Sequence, residues 1–318
     1  MSRFVAGILS VGLMVSGADV VSAQSFPNKP VRFVTSEPGS ANDITARLIS
    51  QGISGPLGQP VIIDNRGGAV TSGTIVSQAP PDGYTLLIQS SALWIGPLLQ
   101  TTAYDPVRNF SPITLATRSP GVLVVHPSVA ANSVKELIAL ARAKPGVLNY
   151  GSGLTGASNH LAAELFKTMA GVNIMRISYK GGGLIINGLL RGEVQLSFPT
   201  AAAVASHVKS GRLRALAVTS AEPSALVPGL PTVAASGLPG YESEVTSGVF
   251  APAKTPEAIV KRLNQEIVRL LNQPDIKQKF FDSGVEIVGS SPEQLAAKIK
   301  SDIARLGKVI KDAGIRAE

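Results

Sequence analysis

Two stretches of this chain place small and polar residues where a ligand could meet bare backbone. Pro38-Gly39-Ser40-Ala41-Asn42-Asp43 follows an apolar run over 31–34 and leads into a helical pattern carrying Ile44, Leu48 and Ile49. Gly151-Ser152-Gly153-Leu154-Thr155-Gly156-Ala157-Ser158-Asn159 follows Leu148-Asn149-Tyr150 and leads into a helix over about 160–169. Both read as strand, glycine-rich loop, helix. In that arrangement the first N–H groups of the helix lack intrahelical partners, the helix dipole makes that end partly positive, and glycine lets a ligand approach the main chain. The chemistry on offer is capture of an anion without lysine or arginine. The same residue types also cap helices and fill tight turns. Each loop therefore stands between a plain cap and a cradle, and Asp43 in particular fits a cap that satisfies its own helix end.

Other chemistries find no matching constellation. Gly156-Ala157-Ser158-Asn159-His160 begins like a nucleophile elbow but lacks the final glycine of G-x-S-x-G. His126, His160 and His207 sit in no metal-like spacing, and neither a phosphate loop nor a dinucleotide fingerprint occurs. No catalytic residue, metal or cofactor is expected, and an enzyme acting on a carboxylate is the minor reading. The chain has no cysteine, which removes disulfides, thiolate metal sites and a cysteine lipid anchor. Its net charge of +8 comes from scattered Lys and Arg with only 5% aromatics, without the basic stripe and stacking residues of a nucleic-acid binder. A diffuse positive field that draws small anions is the milder inference.

The positioning elements follow from apolar patterning. Runs over 31–34, 61–63, 84–88, 122–125, 194–198 and 213–218 read as strands, most of them continuously apolar, as strands covered on both faces should be. Helical patterns alternate with them, so the class is α/β. Ser133 with Glu136 and Ser291-Pro292-Glu293-Gln294 fit capping boxes, and Thr255-Pro256 opens another helix. Ile259, Leu263, Ile267 and Leu270 form one stripe; Leu295, Ile299, Ile303, Leu306 and Ile310 form another. With 318 residues, 44% of them apolar, two lobes are expected. Residues 1–23 read as an export signal: Arg3, a short apolar stretch, then Val21-Ser22-Ala23 as a cleavage site. The stretch is too short for a bilayer span.

The order of Pro38-Gly39 to Asp43, Gly58-Gln59-Pro60-Val61, Asn65-Arg66, Pro81-Asp82-Gly83-Tyr84-Thr85-Leu86-Leu87, Tyr104-Asp105-Pro106-Val107 with Phe110, Val124-Val125-His126-Pro127, Tyr179-Lys180-Gly181, Pro231-Thr232-Val233, Gly237-Leu238-Pro239-Gly240-Tyr241 and Ala251-Pro252 resembles the Bug family. These are the periplasmic solute receptors of tripartite tricarboxylate transporters, and the resemblance runs along essentially the whole mature chain. It implies a type II periplasmic binding protein, two α/β lobes with a ligand cleft between them that closes like a Venus flytrap. Lobe one is expected over 24–125 plus 228–318 and lobe two over 126–227. The implied cargo is a small carboxylate, held by N–H groups, hydroxyls and water rather than by cations. By position, the residues are Pro38, Gly39, Ser40, Ala41, Asn42 and Asp43 in one loop and Ser152, Thr155, Gly156, Ala157 and Ser158 in the other. Ser90, Ser91, Lys180 and Thr200 are further contacts. The implied partners are the transporter's membrane subunits, with the receptor a periplasmic monomer; a sensor of the same fold feeding a signalling partner shares every feature.

The chain departs from the family pattern in places that bear on its ligand. Thr35-Ser36-Glu37-Pro38 replaces a usual Pro-Phe-x-Pro run, and Ser40 and Ala41 take usual glycine positions. The Asn65-Arg66-Gly67-Gly68 loop is shortened, Pro199-Thr200 stand where an acidic residue is common, and Thr246 replaces a frequent tryptophan. Glu37 either turns to solvent, the ordinary place for a glutamate, or meets an amine, amide or hydroxyl of the ligand.

Overall fold

The computed structural model describes residues 26–316, so the expected export signal over 1–23 lies outside the described residues. The chain begins with β1 (Val31–Thr35), α1 (Ala41–Leu57), β2 (Val61–Asn65), α2 (Ala69–Ser77), β3 (Thr85–Ser90), α3 (Ala92–Leu99) and β4 (Phe110–Pro120). It crosses into β5 (Val122–Val125), α4 (Val134–Ala143), β6 (Asn149–Ser152), α5 (Ser158–Ala170), β7 (Met175–Ser178) and α6 (Gly182–Leu190). Next come β8 (Leu196–Ser197), α7 (Ala201–Lys209) and β9 (Arg214–Val218). It returns through β10 (Glu244–Pro252) to α8 (Glu257–Leu271), α9 (Pro274–Asp282), β11 (Glu286–Ile287) and α10 (Pro292–Asp312).

Two sheets result, ordered β11-β4-β10-β3-β1-β2 and β7-β6-β8-β5-β9. β1 runs parallel to β2 and β3, whereas β10 lies antiparallel between β3 and β4. In the second sheet β6 is parallel to β7 and β8, and β5 is antiparallel to β8 and β9. The continuously apolar runs of β1, β3 and β5 are buried along most of their length, because helices cover both faces. β4 and β10 escaped the apolar-run reading, since Pro112, Thr114 and Thr117 interrupt one and Thr246, Ser247 and Gly248 the other. The run over 194–198 shortens to the two-residue β8.

β5 pairs entirely within the second sheet, so the chain changes sheets at Gly121, within four residues of the expected lobe division after 125. On the return, Val233 still donates its N–H to Val218 O at the end of β9 (2.9 Å), and the chain re-enters the first sheet after Ser243. The two crossings are stitched together. Gly121 N donates to Thr219 Oγ1 (2.8 Å), and Ser243 N donates to Thr219 O (2.8 Å). A Cβ on Gly121 would sit 2.8 Å from Thr219 Oγ1, so this close approach needs glycine.

The apolar stripes close the core. Ile259, Leu263, Ile267 and Leu270 of α8 are buried against α1 and the outer face of the first sheet. Leu295, Ile299, Leu306 and Ile310 of α10 join a core that includes Trp94 and Ile95 of α3 and Leu161 and Leu165 of α5. Each such side chain contributes about 1.5–3 kcal/mol relative to exposure. α10 thus packs on elements of both sheets and fixes the floor between them. Its Ser291–Gln294 capping box forms as expected, with Gln294 N donating to Ser291 Oγ and Ser291 N donating to Gln294 Oε1 (2.9 Å). At α4, Ser133 Oγ accepts from Glu136 N, while Glu136 reaches the N–H of Asn132, one residue earlier than a full box requires.

Candidate functional site

A cleft of about 560 Å³ opens between the sheets, within the range of small-molecule sites. One wall is the start of α2 (Gly68 to Thr71) with the start of α3 (Ser90 to Ala92); the facing wall is Thr155 to Ser158 with Leu161 at the start of α5. Ile95 and Leu99 of α3 line it with apolar surface, and Ser243, Glu244 and Val245 of the returning strand form its back. Two smaller chambers share lining residues with it. One of about 180 Å³ lies beside Ser40, Ala41, Asn42 and Ser247, and one of about 70 Å³ lies beside Thr200, Asn159 and Gly121.

Helix ends decide the chemistry of these walls. α2, α3, α5 and α7 begin at Gly68, Ser91, Ala157 and Thr200; none has a side-chain cap and none carries an acid in its first turn. All four ends border the cleft or its chambers. Their leading N–H groups supply partial positive charge that no protein side chain neutralises. By contrast, α4 and α10 are capped by Ser133 and Ser291. α8 and α9 lack side-chain caps but carry Glu257 and Asp275 in their first turns. α6 shares the open character of the four, yet its start at Gly181 and Gly182 is exposed and lines none of the chambers. Among the described residues no Lys or Arg lines the cleft or the two chambers, so an anion held there meets backbone and hydroxyls.

The second loop is held from behind. Arg176 of β7 donates to Ser152 Oγ (2.9 Å), Thr155 Oγ1 (3.1 Å) and Gly153 O (2.8 Å). Asn159 Oδ1 accepts from Gly153 N (3.0 Å) and His160 Nδ1 accepts from Gly156 N (3.1 Å). Gly156 has φ +82°, a conformation side chains resist, and its approach to Leu99 of α3 brings the two walls together. Burial, reinforced by Arg176, pushes the His160 imidazole down to about 4, so it is neutral and able to accept that N–H. Ser152 is buried with its hydroxyl occupied, and it supports the loop instead of lining the cleft.

The first loop is occupied differently. Ser40 caps α1 by accepting from Asp43 N (3.2 Å), and Asp43 accepts from Gly39 N (2.8 Å), Arg47 Nε (3.0 Å) and Asn65 Nδ2 (2.8 Å). Burial opposes the charge, but hydrogen bonds from Arg47, Asn65 and the Gly39 N–H outweigh it and hold the Asp43 carboxyl at about 2. Asp43 therefore completes its own helix end and lines none of the three chambers. Pro38 and Gly39 are exposed and line none of the chambers; Ser40, Ala41 and Asn42 border the side chamber only. Asn42 is a buried tie, donating to Ser36 Oγ (3.1 Å) and accepting from Ser247 Oγ (2.9 Å). Glu37 is exposed. Lys180 is exposed as well and lies outside all three chambers, whereas Thr200 borders the smallest.

Sequence reasoning missed the start of α2 and the segment Ser243 to Val245. The first was within reach, because Asn65-Arg66-Gly67-Gly68-Ala69 repeats the strand, glycine, helix grammar of the other loops. The second has no local signature; it becomes a wall only because the chain recrosses there.

The family model for the tripartite tricarboxylate transporter family receptor matches residues 45–315. The chain belongs to this receptor family. The receptor is 32% identical to Protein BugT of Bordetella pertussis over 315 residues, covering 96% of this chain and 97% of that protein. A solved structure described as R. palustris Rpa4515 with adipate is similar at 36% identity and a TM-score of 0.71, covering 92% of this receptor and all of that chain. Another, MatC from Rhodopseudomonas palustris with bound malate, is similar at 28% identity and a TM-score of 0.69, covering 90% of this receptor and 100% of that chain. Two sheets with a cleft between them are the two-lobed periplasmic binding fold that the sequence implied.

Proposed function

We propose that this receptor resides in the periplasm, binds a small carboxylate in its interlobe cleft and delivers it to the membrane subunits of a tripartite tricarboxylate transporter. The observation that carries this reading is the convergence of uncapped, acid-free helix starts on one 560 Å³ space without a lining cation. Carboxylate oxygens complement such N–H groups, and adipate and malate in two related structures are carboxylates. Ser90, Ser91, the first turns of α2 and α3, and Thr155 to Ser158 are the proposed contacts; Ser40 to Asn42 and Thr200 reach cargo only in the side chambers.

The lobes move about the stitched crossings at Gly121, Thr219 and Ser243. A cargo that touches α3 and α5 together binds the closed arrangement better than the open one and shifts the equilibrium by that difference. A micromolar dissociation constant corresponds to about 8 kcal/mol of such binding. Thermal unfolding of the receptor with a panel of aliphatic, hydroxy, amino and aromatic carboxylates tests the reading. At least one acid should raise Tm progressively with concentration and remain chemically unchanged. Absence of any shift across the panel, or turnover of a binder, refutes it.

A further inference from the structure

Glu244 opens β10 at the point of recrossing and lines both the main cleft and the chamber beneath Thr200. Among the described residues it is the one acid on the walls of the three adjoining chambers. Its Oε2 is buried and has no hydrogen-bond partner among the described residues. The cations around it are engaged with other acids, although Arg305 Nε, like Thr246 Oγ1, is also buried without a partner among the described residues. Lys298 donates to Glu242 Oε1 (2.8 Å) and Asp302 Oδ1 (2.7 Å). Arg305 donates to Glu242 Oε2 (2.9 Å) and Asp302 Oδ1 (2.8 Å), and Arg118 to Glu286 Oε2 (2.8 Å). Burial raises the Glu244 carboxyl above its ordinary range; Lys298 and Arg118 pull against this, while Glu242 and Asp302 add to it.

A buried carboxylate oxygen without a donor is unfavourable until it is given one. Glu244 lines the cleft and the chamber, so cargo held there can bring a donor to its carboxylate. We propose that Glu244 is the specificity-determining residue of the cleft: it accepts a hydrogen bond from a hydroxyl or ammonium on the cargo, so the receptor prefers hydroxy- or amino-carboxylates to plain ones. This rests on reading the cleft as a carboxylate site. The helix starts take the carboxylate oxygens and Glu244 takes the adjacent donor. A plain acid leaves Glu244 unpaired or brings like charges together, and it binds well only if Glu244 takes up a proton. The acceptor role considered for Glu37, which is exposed, passes to Glu244.

The test is titration calorimetry of the full chain with matched acids: succinate, malate and aspartate, then glutarate, 2-hydroxyglutarate and glutamate. Wild type should bind a donor-bearing member about tenfold or more tighter than its plain counterpart. In Glu244→Gln, whose amide can donate to a carboxylate, the gap should fall below about threefold, with the plain acid gaining affinity. That gain separates recognition from structural damage. Wild type supplies a second readout that needs no variant. Compared in buffers of different ionisation enthalpy, the plain acid should bind with proton uptake and the donor-bearing acid without it. An unchanged preference in Glu244→Gln, a wild-type preference for plain acids, or equal proton uptake by both members overturns the proposal while leaving carboxylate binding intact. Failure of every acid to bind removes the carboxylate reading, and this assignment with it.

Discussion

The starts of α1 and α5 share one sequence grammar and meet opposite fates. Each follows a strand and a glycine-bearing loop, yet α1 is closed by Ser40 and Asp43 while α5 opens at Ala157 with no side-chain cap. At α1 the protein supplies its own anion, Asp43, which Gly39, Arg47 and Asn65 hold ionised. At α5 the Arg176, Asn159 and His160 contacts brace the loop, and its uncapped start lines the cleft. A glycine-rich loop before a helix therefore offers its N–H groups to an outside anion only where no neighbouring carboxylate has already taken that place.

The sharpest way to break this contrast is to turn α5 into a second α1. Ala157→Asp places a capping carboxylate where the cargo's should lie, at a backbone position (φ −59°, ψ 150°) outside the helical region, as a cap requires. Calorimetry should show carboxylate affinity falling about 100-fold, while thermal unfolding shows stability unchanged or raised by up to about 1 kcal/mol. The reverse experiment is Asp43→Ala, which strands the partners of a buried charge. Urea unfolding should report a loss of about 2–3 kcal/mol with little change in cargo affinity per folded molecule. A comparable loss of affinity would mean that α1 is part of the cradle after all.

His160 offers a test through pH. Its folded pKa of about 4 lies below the ordinary 6.5, so between those values the unfolded chain binds a proton that the folded chain refuses. The stability this neutral imidazole contributes is complete above 6.5 and is lost as pH falls toward 4, by about 2–3 kcal/mol. In His160→Gln that portion of the pH slope should disappear from the difference between the two unfolding curves. Asp43 acts lower, between 3.8 and about 2, where protonation removes its stabilisation. The smallest expected effect is Ser40→Ala, a cap loss of about 1 kcal/mol in thermal unfolding with cargo binding unchanged.

Much of the architecture was legible. β1, β3 and β5 announced themselves as continuous apolar runs because both of their faces are buried, and α10 through Ser291, Gln294 and its stripe. β10 did not, because Thr246, Ser247 and Gly248 suit a strand that passes behind a cleft instead of filling a core. Of the site, Ser90, Ser91 and Thr155 to Ser158 were reachable from loop grammar and family resemblance, and they do line the cleft. Lys180 was not decidable that way, since exposure depends on how α6 lies relative to the walls.

By itself the sequence determined the α/β alternation, the caps and stripes that set its helices, and the absence of any cation-rich or metal-like motif. These are local properties, expressed within a few turns or one strand. Only the tertiary structure decided that Asp43 would be matched by Asn65 from β2, that the start of α2 would face α5, and that Glu244 would be left without a partner at the recrossing. Whether a polar group is satisfied or waiting depends on what distant segments bring within hydrogen-bond reach, and that reach is a property of the folded chain, not of its neighbours in sequence.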